Sequence, residues 1–138
     1  LNILPPPYSI INNKFYTSLD LFSKNFIFGT ASSAFQVEGI ETSQGKETAN
    51  SWTAWQEEII KKNGTSQPRI APERRVGYAC YHWTLYKEDF KLAASIGIQA
   101  HRFSIEWSKI EPEKGIFDKE AMQHYIEYTK ELINNGII

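Results

Sequence analysis

Cysteine, metal-type histidine pairs, charge of one sign and long apolar runs are all scarce in this 138-residue chain, and each shortage removes a class of function. A single cysteine, Cys80, rules out an internal disulfide and a zinc site built on cysteines. One thiol without a partner also favours a reducing compartment. The histidines, His82, His101 and His124, never fall three or four apart, so the spacing of a metal-ligand pair is missing and no metal is expected. Apolar runs extend over a few residues only, far short of the roughly 20 that a transmembrane helix needs. With 15 Lys and Arg against 16 Asp and Glu the net charge is −1. No general attraction to nucleic acid or to an anionic membrane follows from such a balance.

Aromatic residues are plentiful. Four Trp, seven Tyr and eight Phe make 14% of the chain, and 41% of all residues are hydrophobic, enough for one globular unit. Flat rings suit the C–H faces of sugars, but they suit cores and interfaces equally well.

Residues 1–25 read as an irregular lead-in, with Pro5-Pro6-Pro7 extended. A strand is expected over Phe26 to Thr30, followed by small residues that let the backbone turn closely. Residues 40–50 read as a polar loop. Ser51 is a candidate cap for a helix with Trp52, Trp55 and Ile59 on one face, ended by Asn63-Gly64. Asn63-Gly64-Thr65 also fits the glycosylation acceptor pattern, a triplet that arises often by chance. Residues 65–76 form a loop in which Arg69, Arg74 and Arg75 make a solvated surface.

The second half has clearer periodicity. Trp83, Tyr86, Phe90, Ala93 and Ala94 recur at helical spacing up to Gly97. A strand follows over 98–105. Asp118 is the expected N-cap of a helix burying Met122, Tyr125, Ile126, Thr129, Leu132 and Ile133, with Gly136 as its stop and Ile137-Ile138 opening another strand. The order β, long helical connection, β, α, β implies an α/β fold with parallel strands and right-handed crossovers.

Two positions invite a chemical role. The amide of Gln36, just past the first strand, has an acceptor and two donors and can hold two adjacent sugar hydroxyls. Along the second strand, Ile98, Ala100, Arg102 and Ser104 point one way, and Gln99, His101, Phe103 and Ile105 the other. The latter face suits packing against helices, which turns Arg102 to the opposite side, where a buried cation needs a carboxylate. Glu106, Glu111 and Glu113 crowd one segment but read as surface or loop charges. Cys80 reads as a small buried residue at a helix start.

The motifs are Phe26-x-Phe28-Gly29-x-Ala31-x-Ser33-Ala34-Phe35-Gln36-x-Glu38, Ala79-Cys80-Tyr81-His82-Trp83 and Arg102-Phe103-Ser104-Ile105-x-Trp107-Ser108-x-Ile110. In this order they resemble the N-terminal part of family 1 glycoside hydrolases, the β-glucosidase type, across residues 26–138. Ile40 and Tyr81 depart from the pattern, which usually has a small and a polar residue there. The resemblance implies an eight-stranded (β/α) TIM barrel cut at about its third strand, since a whole barrel takes about 250 residues. It divides the chain into the lead-in, 1–25, and a barrel portion, 26–138.

For function, the resemblance implies hydrolysis of β-glucosides or related β-glycosides by a retaining double displacement, with no cofactor and no metal. Gln36 would grip the sugar in the cleavage subsite, Arg102 would keep the nucleophile ionised, and Glu38 would be structural. Both catalytic carboxylates, expected in Asn-Glu-Pro and Glu-Asn-Gly motifs after the fourth and seventh strands, are absent here. The chain alone is therefore expected to be inactive, and to need the remaining barrel strands from the C-terminal part. A non-catalytic sugar-binding or receptor-like protein on the same barrel would use Gln36 as well. A free-standing structural module is physically poor, because a partial barrel exposes sheet edges and apolar helix faces.

Overall fold

A computed structural model describes residues 9–11, 14–16, 22–23, 25–41 and 48–138. Its centre is a parallel pairing of two short strands far apart in sequence. Strand β3 (Gly29–Ala31) pairs with β6 (Ala100–Arg102) in the register Gly29↔Ala100, Thr30↔His101, Ala31↔Arg102. Ile138 joins the other side of β6, donating to the Gln99 carbonyl and accepting from the His101 N–H. That is the slanted pattern of a parallel neighbour, and it bears out the expected third strand.

Both strands are shorter than their sequence suggests. Phe26 donates its N–H back to the Ser23 carbonyl, so its backbone is tied up in a turn before the ladder begins. Phe22, Phe26 and Phe28 cluster instead, with ring centroids 4.3–5.1 Å apart. Part of the expected lead-in is also paired: β1 (Ser9–Ile11) and β2 (Lys14–Tyr16) form an antiparallel ribbon. Pro5-Pro6-Pro7 and most of the 40–50 loop lie outside the described residues.

After β3 comes the one-turn helix α1 (Ala34–Val37). Helix α2 (Ser51–Glu57) is capped by Asn50 rather than Ser51. Asn50 Oδ1 accepts from the N–H groups of Trp52 and Thr53 at 2.9 and 3.0 Å, and Thr53 Oγ1 accepts in return from the Asn50 N–H at 2.8 Å. The buried face of α2 carries Thr53 and Gln56, while Trp52 and Trp55 are exposed. The expected continuation to Asn63 is replaced by a hairpin, β4 (Ile59–Lys62) against β5 (Thr65–Pro68). Asn63 and Gly64 have φ of 52° and 79°, the two-residue turn that Asn-Gly favours above all other pairs. The same dipeptide that reads as a helix stop thus closes a hairpin.

Helices α3 (His82–Ser95) and α5 (Lys119–Asn134) run where periodicity predicts, with the short α4 (Trp107–Ile110) between them. Asp118 caps α5 by accepting from the N–H groups of Glu120 and Ala121. The buried stripe of α5 is Ala121, Tyr125, Tyr128 and Leu132. Met122, Ile126 and Ile133, expected inside, are at least 44% exposed, because the stripe that meets α3 is one residue round the helix.

The core lies between these helices and the strand pair. Tyr86, Phe90, Tyr128, Leu132 and Ile137 form one cluster, and Ile110, Ala121 and Tyr125 another, with Phe103 packed against both. The aromatic edges interlock: Phe90 and Tyr128 meet at 4.7 Å and 84°, and Trp83 stacks on His124 at 3.7 Å.

Phe90 is 2% exposed at the centre of the larger cluster, so Phe90→Ala is expected to lower the unfolding free energy of the intact protein by about 3–5 kcal/mol in urea titrations. His124 provides a pH test. Burial, with Lys109, His82 and Lys87 nearby, pulls its pKa from 6.5 down to about 4. Unfolded chains then bind a proton that the fold refuses between those values, so stability should fall as pH drops from about 6.5 to 4. Denaturant midpoints across this window should flatten in His124→Phe, which keeps a ring on Trp83 and removes the titration.

Candidate functional site

The C-terminal ends of β3 and β6 lie side by side, and the residues singled out by sequence follow from them. Ser32 donates its N–H to the Arg102 carbonyl, prolonging the pairing by one bond past Ala31. The Ala34 N–H then donates to Ser104 Oγ at 2.8 Å, which fastens the start of α1 to the segment after β6. Gln36 is in the middle of α1 with an exposed side chain that makes no hydrogen bond among the described residues. Arg102 is the last residue of β6 and is also exposed. Both groups thus lie exposed at one edge of the strand pair, and among the described residues no hydrogen bond joins them.

Strand alternation is as expected for His101 and Phe103, which face the helices, while Arg102 faces away. Arg102 has no carboxylate within ion-pair range among the described residues. Among the described residues it is exposed, so it bears no desolvation cost within this segment.

The turn after Gln36 is held by several anchors. Val37 O accepts from the Cys80 thiol at 3.2 Å, and Ile40 donates its N–H to Gly77 O at 3.0 Å. Gly39, at φ 70°, packs so closely on this segment that a Cβ would come within 2.0 Å of the Gly77 carbonyl oxygen. Cys80 is therefore an exposed tether before α3, not a buried filler.

The strongest anchor is Glu38, which is 3% exposed. Tyr125 Oη donates to Glu38 Oε2 at 2.7 Å and accepts from the Glu106 N–H at 2.8 Å. Lys109 Nζ is 3.9 Å from the same carboxylate oxygen, within ion-pair range but beyond a hydrogen bond. Burial raises the pKa of Glu38, offset in part by Tyr125, Lys109 and His82. Burial likewise holds the Tyr125 phenol well above its usual range, so it remains a donor. Glu38 is a structural acid, as its place in the motif implies.

Glu106 departs from its expected role as a surface charge. It is 8% exposed and accepts from Asn50 Nδ2 at 3.0 Å and Ser108 Oγ at 2.8 Å, tying the cap of α2 to α4. Glu111 does act in a loop, accepting from Trp107 Nε1 and the Gly115 N–H, which lower its pKa.

A second polar cluster lies behind the strands. His101 Nδ1 is 2.8 Å from Thr30 Oγ1, and its Nε2 is 3.2 Å from Ser32 Oγ and 3.3 Å from Tyr128 Oη. Tyr128 Oη in turn meets His82 Nε2 at 3.0 Å, and His82 Nδ1 meets Asp89 Oδ2 at 2.6 Å. Burial, then the neighbouring His82, lowers the pKa of His101. Periodicity marks Tyr128 only as a helix position, so nothing in the sequence points to this chain of contacts. Among the described residues, no group of three or more His, Cys, Asp or Glu is arranged to hold a metal ion.

Comparison with known proteins follows the same geometry. The sequence model of glycosyl hydrolase family 1 matches residues 18–138. The chain belongs to this family. β-Glucosidase A of Acetivibrio thermocellus is 35% identical over 118 residues, covering 85% of this chain and 24% of that protein. Coniferin β-glucosidase of Pinus contorta is 37% identical over 117 residues, covering 84% and 21%. Among solved structures, the AHE enzyme of Alicyclobacillus herbarius superposes with a TM-score of 0.68 at 30% identity, over 84% of this chain and 24% of that one. The chain thus spans about a quarter of the length of these relatives. Its α/β architecture is part of the TIM barrel of family 1 glycosidases, with the expected parallel strands and without a closed barrel.

Glu38 gives the site a stability test. Glu38→Gln keeps the hydrogen bond to Tyr125 but leaves the Lys109 ammonium buried without its counter-charge. Lys109, whose pKa is already about 8, can then shed its proton, so a loss of about 1–1.5 kcal/mol in unfolding free energy at neutral pH is expected, read by denaturant titration.

Proposed function

We propose that the intact protein hydrolyses β-glucosides or related β-glycosides by a retaining double displacement. In that mechanism one carboxylate attacks the anomeric carbon and a second, about 5–5.5 Å away, protonates the leaving oxygen and later activates water. Neither carboxylate is in the present segment. Residues that close the barrel and carry them belong, in this reading, to the rest of the polypeptide. No metal or organic cofactor takes part.

The segment contributes binding and electrostatics. Gln36 holds two hydroxyls of the glycone through its amide, and Arg102 lowers the pKa of the nucleophile through its positive charge. The observation that carries this reading is the family match over residues 18–138. It is supported by the exposure of Gln36 and Arg102 at the C-terminal edge of adjacent parallel strands. Catalytic groups of such barrels come from that edge.

Hydrolysis of p-nitrophenyl β-glucoside by the intact protein tests the proposal. Gln36→Ala should lower kcat/KM by roughly 10²-fold through lost glycone hydrogen bonds. Arg102→Met should lower kcat and move the acidic limb of the kcat/KM profile up by about one pH unit or more, since the nucleophile loses its neighbouring cation. Sugar binding without turnover in the unmodified protein would instead assign a non-catalytic binding role on the same barrel.

A further inference from the structure

Lys109 is fully buried, at 0% exposure, yet its ammonium has no hydrogen-bond partner among the described residues. It is held by charge and by an aromatic face. Nζ is 3.9 Å from Glu38 Oε2 and 3.9 Å from the centroid of the Trp83 ring. The other carboxylates that act on it are Glu106, at the start of α4, and Glu41, in the turn beyond Glu38. From α3 comes Trp83. From α5 come His124, stacked on Trp83, and Tyr125, bonded to Glu38. His82 also acts on Glu38. His124 stays neutral at ordinary pH, so it does not repel the ammonium.

A hydrogen-bonded lysine on the surface would be tolerant of substitution. This one sits behind a glutamate two residues from Gln36, in a turn whose backbone is already fastened at Val37, Gly39 and Ile40. We propose that Lys109 is a positioning residue: through Glu38 it fixes the turn that presents Gln36, so that sugar binding weakens when Lys109 loses its charge. The inference rests on the glycosidase reading above and adds to it a residue that never touches substrate.

The chemistry sets the pH window. Burial pulls the pKa of Lys109 from 10.5 down to about 8, against the opposing pull of Glu38, Glu106 and Glu41. Between these values the unfolded chain carries the proton and the folded one does not, so the contribution of Lys109 to stability rises with pH. Loss of the charge removes the 3.9 Å attraction to Glu38 that braces the turn, while the stability of the fold does not fall with it. A merely structural lysine would not separate binding from stability in this way.

Steady-state kinetics on p-nitrophenyl β-glucoside, with urea unfolding at each pH, should be compared for the intact protein, Lys109→Arg and Lys109→Met. Above about pH 8 the KM of the unmodified protein should rise with no matching loss of stability. Lys109→Arg keeps its charge throughout and should show no such rise. Lys109→Met should have a KM raised about tenfold already at neutral pH. An alkaline rise in KM that persists unchanged in Lys109→Arg overturns the inference, as does a folded Lys109→Met with the KM of the unmodified protein. Should Lys109→Met fail to fold, the arginine comparison decides alone. An unmodified protein that neither binds nor cleaves the glucoside overturns the glycosidase reading itself, and this inference with it.

Discussion

Parallel strands cannot be joined by a tight turn, so the pairing of Gly29–Ala31 with Ala100–Arg102 obliges the chain to spend some 70 residues on the crossover between them. Everything else is arranged around that register. With Thr30 opposite His101, the side chains of His101 and Phe103 enter the helical layer, and Arg102 emerges on the other side. A slip by one residue would exchange these faces, placing a guanidinium against Phe90 and Tyr128. The same pairing brings the end of β3 beside the end of β6, where Ser104 receives the first N–H of the helix bearing Gln36.

Buried hydroxyls then lock the layers together. Tyr125 and Tyr128 lie one turn apart on α5 and point their rings into the apolar clusters, but each phenol reaches a different polar group. Tyr125 joins Glu38 to the backbone of Glu106, and Tyr128 joins His82 to His101. Glu106 extends the chain of bonds to Asn50 and Ser108, and Ser108 to Thr48. Such a network is worth most when every member has a partner, because a lone buried polar group is costly. Lys109 Nζ, His124 Nε2 and Arg75 Nε are left without one among the described residues, and for Lys109 the face of Trp83 takes the place of a hydrogen-bond acceptor.

This arrangement separates buried acids from exposed polar side chains. Among the described residues, the buried acids Glu38 and Glu106 are consumed by hydrogen bonds inside the scaffold, whereas Gln36 and Arg102 are left exposed. The two relatives compared above, each about four times this length, are named β-glucosidases. Within such a barrel, a short segment can carry groups that hold and polarise while the bond-breaking carboxylates come from other strands.

Local chemistry made much of this legible in one dimension. Helices α3 and α5 announce themselves by a 3.6-residue period, an Asp118 cap and glycines at 97 and 136, because these signals act within a turn or two. The motifs around Gln36 and Arg102 identify the family for the same reason, since closely spaced residue types survive as a pattern. The hairpin at Asn63-Gly64 reads in one dimension as a helix stop because one dipeptide serves two kinds of turn, and only the pairing of flanking residues chooses between them. Lys109, flanked by serine and isoleucine in a charged stretch, looks like any surface lysine. Its burial follows from Glu38, Trp83 and Tyr125, which lie 71, 26 and 16 positions away and meet only once β3 and β6 have paired and the helices have closed over them. Sequence by itself determined the two long helices, the order of the parallel strands they connect, and the family. Tertiary structure decided which charges are buried and what they brace, because desolvation depends on neighbours that no local pattern brings together.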